Sequence, residues 1–334
     1  MIKILLLEEI KRAKKNTRWL VKDETGNYAS VLLNSNEYYE KGSIIEAKES
    51  DLEEAHEKWI KRLSIWSKKK VKVLNHLIDY KLNVLQIVDE GFWESSDGQI
   101  HYYPHILTEG DYLKNVIPSK YRISIENAIA AKESEIHKGF KNLNSSQAFA
   151  FNFFQPIIDE NLFNEFLNTT DYGANTKPEF EKLNDDNTEF DFYISCGEKS
   201  ASFEVKYTED TFGDAPMDES HIKKWNEVYK REIENLIGKD LLPMEDFFEN
   251  YQLWRNILFT KNKNHQTYFI YPKFRRDELD SKINTILQQF PVLKENVHII
   301  YVDTFVEEIL SNEYSELLKT HYSIFKEKYL NINF

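Results

Sequence analysis

Cysteine, glycine and proline are all scarce in this chain. The single cysteine, Cys196, excludes an intramolecular disulfide and any cysteine-based zinc cluster, and such sparse use is typical of a reducing compartment. Any bound metal must therefore take oxygen or nitrogen ligands. Only 10 glycines and 8 prolines occur in 334 residues, while hydrophobic residues make up 41 %. This balance indicates an ordered, globular protein with a packed core.

Long hydrophobic runs are also missing from the sequence. The longest is ILLL at residues 4–7, which is far too short to cross a membrane, and no signal-peptide pattern follows Met1. We therefore expect a cytoplasmic location and no membrane partner.

Positive charge is in deficit, since the formal net charge is −13. Phosphate binding needs clustered lysine and arginine, so the acidic excess argues against avid non-specific binding to nucleic acid. Net charge sums over the whole molecule, however, and a binding surface is local. Basic runs occur at 11–18, 67–72, 261–265 and 273–276. Any one such run is more often a solvated face than a phosphate contact.

Three segments differ in their sequence pattern. Residues 1–50 predict a small β-rich unit, which also fits part of a small barrel, with two strands joined by the turn signal DETGN. Residues 51–100 predict a helical connector. Residues 101–334 alternate helices and strands, which predicts parallel strands joined by right-handed crossovers. The predicted fold class is therefore α/β, with a mixed sheet flanked by helices and a small β-rich N-terminal unit.

The segment SSQAFAFNFFQP predicts a helix just before the region that carries the charged strands. We expect it to begin at Ser145 or Ser146, which are good N-cap residues, and to break at Pro156, which cannot donate a helical hydrogen bond. Phe149, Phe153 and Ile157 recur at four-residue spacing, which predicts a stripe facing the core.

Histidines offer weaker signals. His101 and His105 in HYYPHIL are spaced like a metal pair, but no third ligand stands near them in sequence, which favours a structural or substrate-shaping role. His137 precedes the predicted helix and could support a site near Ser145, although a core histidine with satisfied hydrogen bonds is the commoner case.

The segment EFDFYIS at 189–195 alternates strictly, CGEK makes a tight turn, and SASFEVKYTE returns as the partner strand. This pattern predicts an antiparallel hairpin on which Glu204 and Lys206 share a face, with Asp191 on the same face of the first arm. The same alternation places Glu209 on the opposite face unless the strand bulges, and it makes Tyr207 a packing residue.

An acid-x-lysine triplet alone is weak, because composition yields about six by chance in this chain. The context of this triplet is more specific. The chain has an acid, Asp191, on one predicted strand and Glu204 and Lys206 on the next, and this pattern resembles the motif of the PD-(D/E)XK nuclease superfamily. Phe190 stands where the family name has proline, a position that many members vary. The segments HKGFKNLNSSQAFAFNFFQPI, FDFYI and FEVKYTE look like a bacterial restriction-endonuclease-like branch, over about residues 100–302.

The resemblance implies an endonuclease that hydrolyses DNA phosphodiester bonds with Mg²⁺, for which Mn²⁺ can substitute, in a restriction-like or phage-defence role. Asp191 and Glu204 would be metal ligands, with the backbone carbonyl of Val205 as a third. Lys206 would orient or deprotonate the attacking water and stabilise the pentavalent phosphorane. Members often add an acid or amide from the helix before the hairpin, and Gln147 is the candidate.

Several alternatives stay open. A hypothesis from a different class is a catalytically inactive nuclease-fold protein that acts as a nucleic-acid-binding or regulatory module, although all three motif residues are present. RNA or structure-specific cleavage, and one metal against two, are undecided. Gln252 and Arg255 share a helical face that could meet the hairpin as phosphate contacts or simply face solvent. Cutting a palindrome would require two sites, which a homodimer would supply.

Overall fold

A computed structural model describes residues 1–12, 16–23, 25, 27–34, 44–55, 65–94, 98–132, 135–184, 188–239 and 241–334. The chain is a mixed α/β protein that divides into two compact units. One comprises Met1–Asn115 with Lys141–Asn144 and Asn331–Phe334, and the other Val116–Phe140 with Ser145–Leu330. The finer boundaries after residues 50 and 100 stay predictions.

The first unit contains a five-stranded antiparallel sheet in the order β4-β1-β2-β3-β5. Its strands are β1 Ile2–Arg12, β2 Asn16–Asp23, β3 Tyr28–Asn34, β4 Ile44–Ala47 and β5 Leu52–Glu54. The predicted hairpin at DETGN is confirmed, because β2 pairs with β3 and the Oδ1 of Asp23 accepts hydrogen bonds from the backbone nitrogens of Thr25 and Asn27. Gly26 lies outside the described residues. Closure into a barrel stays a prediction.

A long helix, α1 (Ile65–Asn83), and a hairpin of β6 (Gly91–Glu94) and β7 (Ile100–Tyr103) complete the regular structure of this unit. The buried ammonium of Lys81 near the end of α1 donates to three backbone carbonyls, those of Asp89, Pro104 and Ile106, at 2.6, 3.0 and 2.8 Å. One lysine thereby joins the helix to the chain that follows it.

The second unit is built on a five-stranded sheet in the order β12-β11-β10-β9-β8. The strands are β8 Lys177–Leu183, β9 Glu189–Cys196, β10 Lys199–Val205, β11 His265–Tyr271 and β12 Val297–Tyr301. Strands β8, β9 and β10 are antiparallel, whereas β10, β11 and β12 are parallel, so the predicted mixed sheet is confirmed. Strand β8 was not predicted, because its segment KPEFEKL is rich in charge.

Helices cover both faces of this sheet. They are α2 Arg122–Ala131, α3 Ser146–Asp159, α4 Phe163–Leu167, α5 Glu219–Lys224, α6 Lys230–Ile237, α7 Met244–Glu249, α8 Tyr251–Ile257, α9 Arg276–Gln289, α10 Val302–Ser311 and α11 Glu316–Tyr329, with a π-helical turn joining α5 to α6. Within the part of the chain that the structure describes, no helix has the length and apolarity needed to span a membrane.

The core of the second unit lies on the two sides of the sheet. On one side, Phe154 of α3 stacks on Phe192 of β9 and tilts against Phe203 of β10, with ring centroids 4.1 and 5.3 Å apart. On the other side, a cluster that includes Phe269 of β11 and Trp254 of α8 fills the space under the helices. The predicted core stripe of α3 is confirmed, since all three of its residues are fully buried: Phe149, Phe153 and Ile157.

Helix α3 begins as predicted but does not break at Pro156. The side chain of Ser145 caps its first turn, and the helix continues through Pro156 to its end three residues later. Pro156 lacks the amide that would bond the carbonyl of Asn152, and that carbonyl instead accepts a 2.8 Å hydrogen bond from Nε2 of His321 in α11. The predicted break is therefore wrong, because a distant helix satisfies the freed carbonyl.

Candidate active site

The predicted hairpin is confirmed. Strands β9 and β10 pair from Lys199 opposite Cys196 to Phe203 opposite Phe192, and Gly197 takes a left-handed φ of 61° in the turn. One step further in this register sets Asp191 and Glu204 opposite each other, on the same face of the sheet.

Asp191 also contacts the backbone of β10. Its Oδ2 accepts a 2.6 Å hydrogen bond from the backbone nitrogen of Val205. The N–H and C=O of one residue in a strand point to the same side, so the carbonyl of Val205 lies on the Asp191 side of β10. The structure thus brings together Asp191, Glu204 and Val205 as the sequence predicted.

Glu204 and Lys206 form a buried ion pair. Oε1 of Glu204 lies 2.9 Å from Nζ of Lys206, and their side chains are only 2 % and 7 % exposed. Helix α8 holds both partners: Nδ2 of Asn256 donates to Oε2 of Glu204 at 3.0 Å, and Oε1 of Gln252 accepts from Nζ of Lys206 at 2.8 Å. Gln252 was singled out from the sequence, whereas Asn256, one turn later, was missed.

The charge state of Lys206 follows from its neighbours. Burial alone would lower its pKa, but the carboxylates of Glu204, Glu209 and Asp191 outweigh that effect, and the pKa is raised. Lys206 is therefore an ammonium at neutral pH. For Asp191 the effect of burial prevails. Burial, followed by the negative charges of Glu204 and Glu181, raises the pKa of Asp191 well above its ordinary value.

Glu181 is a third acid of the cluster, and the sequence did not reveal it. It lies on β8 between Phe180 and Lys182, which pair with the residues on either side of Asp191, so it sits opposite Asp191 across the β8–β9 ladder. The side chain is 2 % exposed and φ is 47°, in the left-handed region.

Burial is the main cause that raises the pKa of Glu181, to about 8. A hydrogen bond from Gln147 lowers this pKa, and the carboxylates of Glu189 and Glu204 raise it further. Among the residues that the structure describes, none hydrogen-bonds Oε1 of Glu181.

Gln147 lies in the first turn of α3 and is buried. Its Oε1 accepts from the backbone nitrogen of His137, and its Nε2 donates to the backbone carbonyl of Glu135, both at 3.0 Å. The structure places Gln147 beside Glu181 and His137, where its side-chain hydrogen bonds go to the backbone of residues 135 and 137. Its participation in a metal site stays a prediction.

Glu209 was expected to face away from Glu204, and this is wrong. Strand β10 ends at Val205, so the alternation of side chains does not continue to Glu209. Its Oε2 accepts a 2.8 Å hydrogen bond from the backbone nitrogen of Tyr207, and its charge helps to raise the pKa of Lys206. Glu209 therefore belongs to the cluster. Burial would raise the pKa of the Glu209 carboxyl, but the positive charge of Lys206 and hydrogen bonds from Ser146 and from the backbone of Tyr207 bring it below the ordinary value.

Tyr207 has the packing role predicted for it. Its ring is fully buried and lies 5.1 Å from the ring of Phe149 and 5.3 Å from that of Tyr329, measured between centroids.

The helical face of Gln252 and Arg255 does meet the hairpin. In addition to the contact of Gln252 with Lys206, Nε of Arg255 donates to Oγ1 of Thr188 at 3.1 Å, just before β9 begins. A role of Arg255 in phosphate binding stays a prediction.

His101 and His105 do not belong to a cluster of three potential metal ligands among the residues that the structure describes. Burial, together with nearby lysines, lowers the pKa of His105 to about 4, so its ring is neutral at physiological pH.

The fold and the site define a mixed α/β protein with a buried carboxylate–lysine cluster on adjacent strands of its sheet. A family model described as "Restriction Endonuclease associating with ARP" matches residues 38–330. The chain belongs to this restriction-endonuclease-like family, whose description indicates a nuclease or defence role. No curated protein and no solved structure matches the chain.

Proposed function

We propose that this chain is a Mg²⁺-dependent endonuclease that hydrolyses DNA phosphodiester bonds through a PD-(D/E)XK site, in restriction or phage defence. The observation that carries the proposal is the meeting of Asp191, Glu204 and Lys206 on one face of a hairpin, with Glu181 and Glu209 beside them. Buried ionisable groups with shifted pKa values concentrate at functional sites, because a fold alone gains little from them.

The donor set fits a divalent cation. Asp191 and Glu204 offer the hard carboxylate oxygens that Mg²⁺ and Mn²⁺ prefer, and the carbonyl of Val205 lies on the same side of the strand. Three acids, Asp191, Glu204 and Glu209, act on the single ammonium of Lys206, so the acids outnumber the lysine and a cation would favour their ionised forms. A bound ion would polarise the scissile phosphate and lower the pKa of a water molecule.

Lys206 acts in its protonated form. Its raised pKa opposes the loss of a proton to become a general base, so we assign it to orienting the attacking water and stabilising the negative charge of the phosphorane. Gln252 and Asn256 are positioning residues, since they hold the lysine and the carboxylate that the reaction uses.

DNA is the proposed partner, and the negative net charge means that its contacts are local. Arg255 lies beside the start of β9 and is a candidate for a phosphate contact. Cutting both strands of a palindrome would need two copies of the site, which a homodimer would bring together.

The test is cleavage of plasmid DNA by purified protein with Mg²⁺ or Mn²⁺. Lys206→Ala should reduce the rate at least about 100-fold, whereas Lys199→Ala, an exposed lysine of the same hairpin, should cut at the wild-type rate. Circular dichroism checks that both variants are folded.

Undiminished cleavage by Lys206→Ala would overturn the site assignment. Failure of the wild type to cut any DNA or RNA would favour the binding or regulatory module instead, and cutting of RNA alone would overturn the choice of substrate.

A further inference from the structure

A second group of potential metal ligands lies beside the hairpin acids and consists of His137, Glu181 and Glu189. One ligand atom from each lies within 4.8 Å of the others, and Nε2 of His137 is 3.8 Å from Oε2 of Glu181. Tetrahedral ligand atoms with metal bonds of about 2.1 Å lie roughly 3.4 Å apart. Side-chain rotation must therefore bring the ligand atoms closer by up to about 1.4 Å, and His137 has room to move because its side chain is 62 % exposed.

The state of Glu181 points independently to a ligand. Its side chain is 2 % exposed, yet Oε1 has no hydrogen-bond partner within the described ranges of the chain. A buried carboxylate oxygen without a partner is costly, so a native fold is expected to satisfy it. An ion in the group that both carboxylate oxygens of Glu181 bind would supply that partner, since Oε2 faces His137.

The backbone around the group is already held in place. The Oε1 of Gln147 accepts a hydrogen bond from the backbone nitrogen of His137, and its Nε2 donates to the backbone carbonyl of Glu135, so one buried side chain of α3 holds the backbone that carries His137. Glu189, the first residue of β9, pairs with Leu183 of β8. The pairing of the two strands therefore places Glu189 near Glu181.

We propose that His137, Glu181 and Glu189 form a second divalent-cation site that takes a transition metal such as Zn²⁺ in preference to Mg²⁺. An imidazole nitrogen suits Zn²⁺, whereas Mg²⁺ favours ligand sets made of oxygen alone. Three protein ligands would leave a fourth tetrahedral position for water or for a group of a bound molecule. The site uses different residues from the pair of Asp191 and Glu204 and does not rest on DNA cleavage.

Calorimetric titration of the chelator-treated full chain with ZnCl₂, without nucleic acid, tests the proposal. Wild type should bind a Zn²⁺ ion that His137→Gln and Glu189→Gln bind at least about tenfold more weakly. His221→Gln is the matched control, because His221 is also next to a carboxylate, with Nδ1 2.9 Å from Asp218. This variant should retain wild-type affinity at the proposed site.

Thermal unfolding provides the second measurement. In chelator, His137→Gln should melt at the wild-type temperature, since its side chain is largely exposed. Added Zn²⁺ should then raise the melting temperature of wild type and His221→Gln more than that of His137→Gln. Equal Zn²⁺ affinity in wild type and His137→Gln, or no binding by wild type, would overturn the site. Both results would leave the proposed nuclease activity untouched, because neither measurement involves cleavage.

Discussion

Asp191 and Val205 are joined across the hairpin by a 2.6 Å hydrogen bond from the backbone nitrogen of Val205 to Oδ2 of Asp191. This bond fixes the first acid of the cluster against the strand that carries Glu204 and Lys206. The paired residues of β9 and β10 end at Phe192 and Phe203. Beyond that point the backbone N–H of Val205 has no partner carbonyl on β9, and the side chain of Asp191 accepts its hydrogen bond instead. The charged side chains therefore lie at the end of the β9–β10 pairing, where a carboxyl group can bond the backbone.

Glu181→Gln should stabilise the metal-free protein at alkaline pH. The pKa of Glu181 is raised to about 8, so the folded state binds more protons than the unfolded state above the unfolded value near 4.5, and stability falls as pH rises through this window. The slope contributed by one such group is at most about 1.4 kcal/mol per pH unit. Glutamine cannot ionise, so this contribution should vanish.

Urea denaturation in chelator between pH 5 and pH 8 measures the effect. Glu198→Gln, at an exposed position in the hairpin turn, should keep the wild-type slope. A Glu181→Gln variant that follows the wild-type slope throughout would contradict the assignment of a raised pKa.

Arg275→Met should destabilise the second unit by about 3 kcal/mol. Arg275 is fully buried, and its guanidinium donates from Nη1 to the carbonyl of Tyr207 at 2.8 Å and from Nη2 to that of Glu209 at 2.7 Å. It therefore holds the segment that returns Glu209 to Lys206, and it is not one of the phosphate contacts that its basic run could suggest. Its neighbour Arg276 is exposed, and Arg276→Met should change the unfolding free energy by less than about 0.5 kcal/mol. Equal effects of the two substitutions in urea denaturation would refute this role.

Lys81→Met should destabilise the first unit by more than about 2 kcal/mol, because three carbonyls would lose their donor. Lys72→Met, at an exposed position of the same helix, is the control and should be close to neutral. Limited proteolysis and denaturant unfolding would both register the difference. Wild-type stability in Lys81→Met would show that the three contacts contribute little.

The hairpin and its charged face could be predicted because strict alternation and a short turn are local signals. Glu181 could not, because its strand resembles a polar loop and no local sequence signal marks its left-handed φ of 47°. The continuation of α3 through Pro156 depends on His321, which is remote in sequence. The position of Glu209 depends on where β10 ends and on Arg275, whose contacts join distant parts of the chain. Local patterns thus revealed the site's centre, and long-range contacts set its surroundings.

The most direct test of the central claim is the rate of Mg²⁺-dependent DNA cleavage by Asp191→Asn, compared with Asp171→Asn. Asparagine can still accept the hydrogen bond from Val205 but lacks the carboxylate charge, whereas Asp171 is exposed and pairs with Lys199 outside the cluster. We predict a loss of at least about 100-fold for Asp191→Asn and a wild-type rate for Asp171→Asn. Cleavage by Asp191→Asn at the wild-type rate would contradict the proposed active site.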